Sequence, residues 1–247
     1  MKDLINKIHN ADCLEFMKKL PDNSIDLILT SPPYNKNGYR GRKDTSKGKG
    51  RWAGSDIAYG DYDDDMEEED YRKWQIDILD EGFRVLKPNG SFFYNHKIRR
   101  SNHIASHPFE WVSKSKFNFY QQITWDRGAS PDNNIGYLLP TSELIFWLSK
   151  NIPKFQKNKM FQSEVWRINA EHNTEHPAPF PILLAKIIVG MASDKNDIVL
   201  DMFMGSGTTA LACLELERNF IGIEKEIKYV NMANGRLENY NKQLKLF

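Results

Sequence analysis

Short apolar runs alternate with longer amphipathic stretches along this chain. Ser24-Ile25-Asp26-Leu27-Ile28-Leu29-Thr30 is an apolar run stopped by Ser31-Pro32-Pro33, the pattern of a buried strand ended by proline. Upstream, Lys7 to Asp12 predicts another strand and Cys13 to Lys19 a helix. Trp74, Ile78, Leu79, Gly82 and Leu86 lie near one helical face, which predicts a helix over 70–86 closed by a turn at Lys87-Pro88-Asn89-Gly90. Further strands are predicted at Ser91–Tyr94, Gln121–Trp125, Ser142–Trp147, Asp197–Leu200 and Asn219–Ile223, with helices over Ile182–Met191 and Ala210–Glu217. The aromatic cluster Phe117, Phe119, Tyr120 and Trp125 is expected in the core. Strands alternating with helices imply a mostly parallel sheet covered on both faces, an α/β fold. Neither an internal repeat nor a low-complexity linker divides it, so a single domain is expected.

Composition narrows the class. The 247 residues suffice for one full-sized α/β domain, and 40% hydrophobic against 27% charged residues exclude global disorder. No apolar run approaches the ~18 residues of a membrane helix, and the first residues lack a signal-peptide core, so a cytoplasmic protein without membrane contact is expected. Cys13 and Cys213 are too few and too far apart for a disulfide scaffold. His96, His103, His107, His172 and His176 show no metal-ligand spacing, and no metal is expected.

Charge changes the picture through its distribution. The net charge is only +1, yet Lys36, Arg40, Arg42, Lys43, Lys47, Lys49 and Arg51 stand against Asp44 alone in a segment with four glycines. Clustered Lys and Arg of this kind neutralise phosphates. The acids that follow, Asp61 to Asp70, suit the first turns of a helix, where carboxylates meet the positive end of the dipole.

Asp201-Met202-Phe203-Met204-Gly205-Ser206-Gly207-Thr208-Thr209 falls between a predicted strand and a predicted helix. Gly205-x-Gly207-x-x-Ala210 satisfies the nucleotide-binding turn, and Glu224, at the end of the next strand, is placed to hold ribose hydroxyls. No lysine follows for a triphosphate. A carboxylate at Asp201 is unhelpful beside pyrophosphate and attractive beside an amino or sulfonium cation, which points to S-adenosyl-L-methionine; an NAD-dependent oxidoreductase remains the alternative for the turn alone.

Thr30-Ser31-Pro32-Pro33-Tyr34-Asn35, the glycine turn and Phe220-Ile221-Gly222-Ile223-Glu224, in this order, resemble the DNA amino-methyltransferases of the circularly permuted β group. The resemblance runs from Ile8 to about Tyr229 and includes His176-Pro177-Ala178-Pro179-Phe180-Pro181 and Asn10-Ala11-Asp12-Cys13. It implies a Rossmann-like methyltransferase with a seven-stranded sheet, transferring a methyl group from S-adenosyl-L-methionine to the exocyclic amino nitrogen of a base in double-stranded DNA. Asp12, Cys13, His176, Asp201, Phe203, Gly205, Ser206, Gly207, Thr208 and Glu224 are the cofactor-binding candidates. The catalytic candidates are Ser31, Pro32, Pro33 and Tyr34. Ser31 and the Pro32 carbonyl can accept hydrogen bonds from the amino group and localise its lone pair, and the prolines fix the backbone. The Tyr34 ring offers a face to an extruded base, so Tyr34→Phe is expected to keep most activity.

The DNA-binding candidates are Asn35, the basic residues Lys36 to Arg51 named above, and Arg127. By position the chain divides into a catalytic half, 1–126, a target-recognition insertion, 127–175, carrying Lys150, Lys154, Lys157 and Lys159, and a cofactor half, 176–247. In the family, Ser-Pro-Pro-Tyr is more typical of cytosine-N4 enzymes and Asp-Pro-Pro-Tyr of adenine-N6 enzymes, so cytosine N4 is favoured and adenine N6 is the alternative. A homodimer and a separately encoded restriction endonuclease are the expected protein partners.

Overall fold

The computed structural model describes residues 1–35, 66–101, 104–128, 137–156, 163–169 and 181–244. In chain order the elements are β1 (Lys7–Asn10), α1 (Cys13–Met17), β2 (Ile25–Thr30), α2 (Glu68–Val85), β3 (Leu86–His96), β4 (Arg99–Ser101), β5 (Ile104–Ser106) and α3 (Phe109–Val112). They continue with β6 (Asn118–Asp126), β7 (Ser142–Ser149), β8 (Val165–Arg167), α4 (Ile182–Ala192), β9 (Ile198–Asp201), α5 (Thr208–Glu215), β10 (Asn219–Glu224) and α6 (Ile227–Leu244).

One sheet carries the fold, with strand order β1-β10-β9-β2-β3-β7-β6-β8. The first five strands are mutually parallel, β7 runs antiparallel to both β3 and β6, and β8 runs parallel to β6. The sheet has eight strands where seven were expected, because the three-residue β8 extends its outer edge. β4 and β5 pair separately.

Both faces are buried, as the alternation of side chains along a strand requires. Ile28, Phe92, Tyr94 and Ile221 pack with α1, α2 and α3 on one face. Leu27, Leu29, Phe93 and Val199 pack with α4 and α5 on the other. α4 is buried along most of its length because two layers cover it, the sheet and α5. Cys13 and Cys213 are free thiols inside this packing. Burial, followed by the nearby Asp12 carboxylate, pushes the Cys13 thiol up to about 12, so it packs as a small apolar side chain.

Three expectations change. The aromatic cluster is only partly core: Phe117 and Trp125 are buried, but Phe119 and Tyr120 are 44% and 48% exposed, because β8 pairs only with Thr124–Asp126 and the first half of β6 lies at the outer edge among the described residues. The segment 127–175 is not wholly an insertion, since β7 lies between β3 and β6 with Ile145, Phe146 and Trp147 in the core. Lys150 and Lys154 sit at the opposite edge of the sheet from the ends of β2 and β9: Lys150 donates to Asn23 and Lys154 pairs with Asp194 and Asp197, all just before a parallel strand.

The third change concerns Lys87–Gly90. These residues do not separate α2 from a later strand; they form an excursion inside the β2–β3 pairing, whose register jumps from Ile25↔Leu86 to Leu27↔Ser91. Lys87 anchors the excursion through an ion pair to Asp26 at 2.6 Å. At Gly90 a Cβ would stand 2.7 Å from the Asp26 carbonyl oxygen and 2.8 Å from a Leu86 methyl carbon, so only glycine fits. Gly90→Ala is expected to destabilise the fold by about 1–3 kcal/mol, the usual cost of overpacking, measured as a lower urea midpoint with unchanged slope.

Candidate active site

The parallel strands end at one edge, and the two sequence motifs meet there on adjacent strands. β2 delivers Thr30-Ser31-Pro32-Pro33-Tyr34 and its neighbour β9 delivers Asp201 and the glycine turn. β9 is followed in the sheet by β10 on one side, while β2 is followed by β3 on the other, so the crevice between them is the switch point where α/β sheets bind ligands. A buried carboxylate joins the motifs: Asp201 accepts hydrogen bonds from Thr30 Oγ1 at 2.8 Å, Thr209 Oγ1 at 2.6 Å and the Phe203 N–H at 3.1 Å. Asp201 is only 5% exposed and burial holds its carboxyl above the usual carboxylate range, against the lowering effect of those three donors. Three acceptor positions of Asp201 are thus spent in building the site, a role the sequence alone did not reveal.

The turn after Asp201 requires its glycines. Gly205 and Gly207 have φ of +51° and +85°, and a Cβ on Gly207 would lie 2.9 Å from Ala233 Cβ. Met204 N–H donates to the Ile223 carbonyl, and Gly205 N–H donates to Glu224 Oε2 at 2.9 Å, which ties the turn to the end of β10. Glu224 Oε1 accepts from the Glu226 N–H, and burial raises its carboxyl above the ordinary range. From α6, Arg236 donates to the Ser206 carbonyl at 2.7 Å and to Ser206 Oγ at 2.9 Å, with Thr208 Oγ1 at 3.4 Å. Arg236 was missed by sequence reasoning, since nothing local marks it. Phe203 is half-buried, edge-on to Trp74 with ring centres 5.7 Å apart.

Asp12 lies just beyond β1, whose Asn10 is in register with Glu224, so the acids share one edge. Its Oδ1 caps α1, accepting from Leu14 and Glu15 N–H groups. Adjacent to it the Cys13 side chain is in the core, which leaves Asp12 as the polar group at that position. An acid on the β10 tip suited to vicinal hydroxyls, a second acid on the β1 tip and a turn stripped of side chains fit an adenosine-bearing cofactor.

On the other side of β2, Ser31 enters a compact polar cluster. Ser31 Oγ lies 2.9 Å from Tyr34 Oη, and Tyr34 Oη donates to Glu143 Oε2 at 3.0 Å. Asn95 Nδ2 reaches Glu143 Oε2 at 2.8 Å, Tyr34 Oη at 2.9 Å and Ser31 Oγ at 3.2 Å. Arg127 Nη1 pairs with Glu143 Oε1 at 3.1 Å, while its Nη2 donates to the Pro140 carbonyl. The Tyr34 ring packs on His96 with centres 4.5 Å apart. Burial lowers the His96 imidazole well below its ordinary range; its Nε2 meets Tyr71 Oη, and the Tyr71 hydroxyl donates to the Pro33 carbonyl at 2.7 Å.

Two DNA-contact expectations are corrected here. Asn35 is buried, with its Nδ2 on the Met66 carbonyl and its Oδ1 on the Met66 N–H, so it clamps backbone to backbone. Arg127 is committed to Glu143 and Pro140. Lys36, Arg40, Arg42, Lys43, Lys47, Lys49, Arg51 and His176 lie outside the described residues. Glu143, Asn95, Tyr71 and His96 were not anticipated at the site; they come from β7, α2 and β3, and only the folded sheet brings them to Ser31.

The fold and the site define a Rossmann-like methyltransferase class. The sequence profile of the DNA methylase family matches residues 25–235, and the chain belongs to this family of N6/N4 amino-methyltransferases. It is 30% identical to the Type II methyltransferase M.BglII of Bacillus subtilis, over 94% of this chain and 69% of that protein. It is 29% identical to the Type II methyltransferase M2.MboI of Moraxella bovis, over 96% and 89% respectively. Among solved structures it superimposes on the cytosine-N4-specific PvuII DNA methyltransferase with a TM-score of 0.74 at 22% identity, covering 92% of this chain and 84% of that one. The M1.HpyAVI–SAM complex gives a TM-score of 0.66 at 26% identity, covering 94% and 98%.

Because the native state holds the Asp201 proton more tightly than the unfolded chain does, ionisation of Asp201 subtracts stability. Its favourable contribution is complete below the ordinary carboxylate range and is lost as pH rises through the elevated folded value. The stability of wild type relative to Asp201→Asn is therefore expected to be flat in acid and to shift in the variant's favour across that window. Urea unfolding at a series of pH values measures this, and a constant difference would return Asp201 to an ordinary carboxylate.

Proposed function

We propose that this protein methylates the exocyclic N4 of cytosine in double-stranded DNA. The observation that carries the reading is the juxtaposition of the Ser31-Pro32-Pro33-Tyr34 tip with the glycine turn, fastened by the Thr30–Asp201 hydrogen bond. S-adenosyl-L-methionine is the methyl donor and, when bound, supplies a methyl group activated by its sulfonium. Glu224, Asp12 and Phe203 hold its adenosine end, and Gly205 to Thr208 let the backbone approach it closely. Cytosine is favoured over adenine because the motif opens with Ser31, where the related adenine-N6 pattern opens with aspartate.

The exocyclic nitrogen is a poor nucleophile while its lone pair is delocalised into the ring. Ser31 Oγ and the Pro32 carbonyl accept its two N–H bonds and favour a localised lone pair. Tyr71, bonded to the Pro33 carbonyl, holds the diproline turn that places these acceptors. The base must leave the helix to reach them. The basic segment 36–51 departs next to Tyr34 and is assigned the neutralisation of DNA phosphates. Target recognition is assigned to the parts of 127–175 before β7 and after β8, which follow the ends of β6 and β8 at the sheet edge bearing the site. The Type II relatives support a restriction–modification setting.

Mass spectrometry of nucleosides from the DNA of a host expressing the protein is expected to show N4-methylcytosine. N6-methyladenine would keep the enzyme class and overturn the base; no methylated nucleoside would overturn both. Ser31→Ala is expected to slow single-turnover methyl transfer by on the order of 10²-fold, the low end for a positioned proton-accepting group. Calorimetric affinity for S-adenosyl-L-methionine should stay at the wild-type value, because the lost interaction belongs to the transition state.

A further inference from the structure

The cluster beside Ser31 has a proton order that its chemistry dictates. An ionised Glu143 can only accept, so the single Tyr34 O–H proton, 3.0 Å away, goes to Glu143 Oε2. Tyr34 Oη then has no proton for Ser31, and the 2.9 Å contact between the hydroxyls runs from Ser31 to Tyr34. The Asn95 amide must present its nitrogen to Glu143, and it leaves Asn95 Oδ1 buried without a partner among the described residues. Asn95 also reaches Ser31 Oγ at 3.2 Å, but a hydroxyl oxygen has two lone pairs, so at least one remains for an incoming N–H. Every proton in the chain therefore points away from the proposed base position and toward Glu143.

We infer that Glu143 is a positioning residue for methyl transfer, acting through Tyr34 and Ser31 as the end of a proton relay. This rests on the amino-methylation reading above. As the nitrogen lone pair forms the N–CH₃ bond, the C–S bonding pair returns to sulfur and the nitrogen is left with one proton in excess. That proton moves to Ser31 Oγ, the Ser31 proton moves to Tyr34 Oη, and the Tyr34 proton moves to Glu143 Oε2. The positive charge of the sulfonium and the negative charge of the carboxylate disappear in the same event, so the net charge of the site is unchanged, no further reactant is needed, and Arg127 is left beside a neutral carboxyl. Arg127, 3.1 Å from Glu143 Oε1, and Asn95 keep the carboxylate aimed at Tyr34 rather than turned into solvent. Tyr34→Phe, harmless if the ring alone mattered, breaks the middle link.

The test combines Glu143→Gln, Tyr34→Phe and the double variant in single-turnover methyl transfer on a one-site duplex. Each single variant is expected to lose on the order of 10²-fold in rate, the low end for a positioned proton acceptor, with affinities for cofactor and duplex unchanged; Tyr34→Phe, which keeps the Glu143–Arg127 pair, should do so at an unchanged melting temperature. Two links of one chain act as a unit, so the double variant should be no slower than either single one. Formate should restore part of the rate of Glu143→Gly where chloride at equal ionic strength does not. Infrared difference spectra of the product complex should show a protonated-carboxyl stretch that Glu143→Gln lacks. Full rates in Glu143→Gln or Tyr34→Phe, or additive losses in the double variant, would overturn the relay while wild-type methylation left the enzyme class intact. Absence of methylation by the wild type would instead remove the reading on which the relay rests.

Discussion

The structure depends on one buried carboxylate. Asp201 and Thr30 are 171 residues apart in the chain, yet a 2.8 Å hydrogen bond joins them at the ends of adjacent strands. Taking a carboxylate out of water is costly, and the fold accepts this only because two hydroxyls and one backbone N–H satisfy it. Those donors come from three places: the tip of β2, the start of α5 and the turn itself. One acid thus fixes the relative positions of the tip, the turn and the helix, which a hydrophobic contact, being non-directional, would not do.

Consecutive residues then divide the work. In extended backbone, neighbours point to opposite sides, and Thr30 turns to Asp201 and the glycine turn while Ser31 turns to Tyr34, Asn95 and Glu143. A shift of one residue along β2 would exchange these partners, so the β2–β9 register sets the site as well as the core. The proline pair ends the strand immediately afterwards, and a bond from Tyr71 fixes the carbonyl of Pro33.

Local signals carried most of the fold, including the glycine turn and the acid that ends β10. The apolar run of β2, the strand–turn–helix of β9 to α5 and the acid ending β10 are all contiguous in sequence, and each appears where its pattern places it. What was not legible depends on pairing between distant strands. Glu143 reads as the polar start of an apolar strand, and it becomes part of the site because β7 inserts antiparallel beside β3 and brings it to Asn95 and Tyr34. Arg127 and Asn35 looked like DNA contacts because they flank the motifs, but flanking position does not reveal that an internal acid and a backbone segment claim them first. The excursion at Lys87–Gly90 carries ordinary turn residues, and only the register of β2 against β3 shows that it lies within a strand.

The Asn35–Met66 clamp gives the basic segment its meaning. The chain leaves the described fold after Asn35 and re-enters it at Met66, and two hydrogen bonds of 2.7 and 2.8 Å join these residues. Asn35 adopts φ +51°, a conformation asparagine tolerates better than most side chains, and this turns the chain directly after Tyr34. The clamp holds the residue directly after Tyr34, and the seven cations of 36–51 follow it in sequence. Under the proposed neutralisation of phosphates, covalent attachment beside Tyr34 directs that attraction to the strand whose base is extruded. On that proposal the clamp couples a sequence-independent attraction to the Ser31–Tyr34 tip, and it uses for that purpose the asparagine that follows the motif.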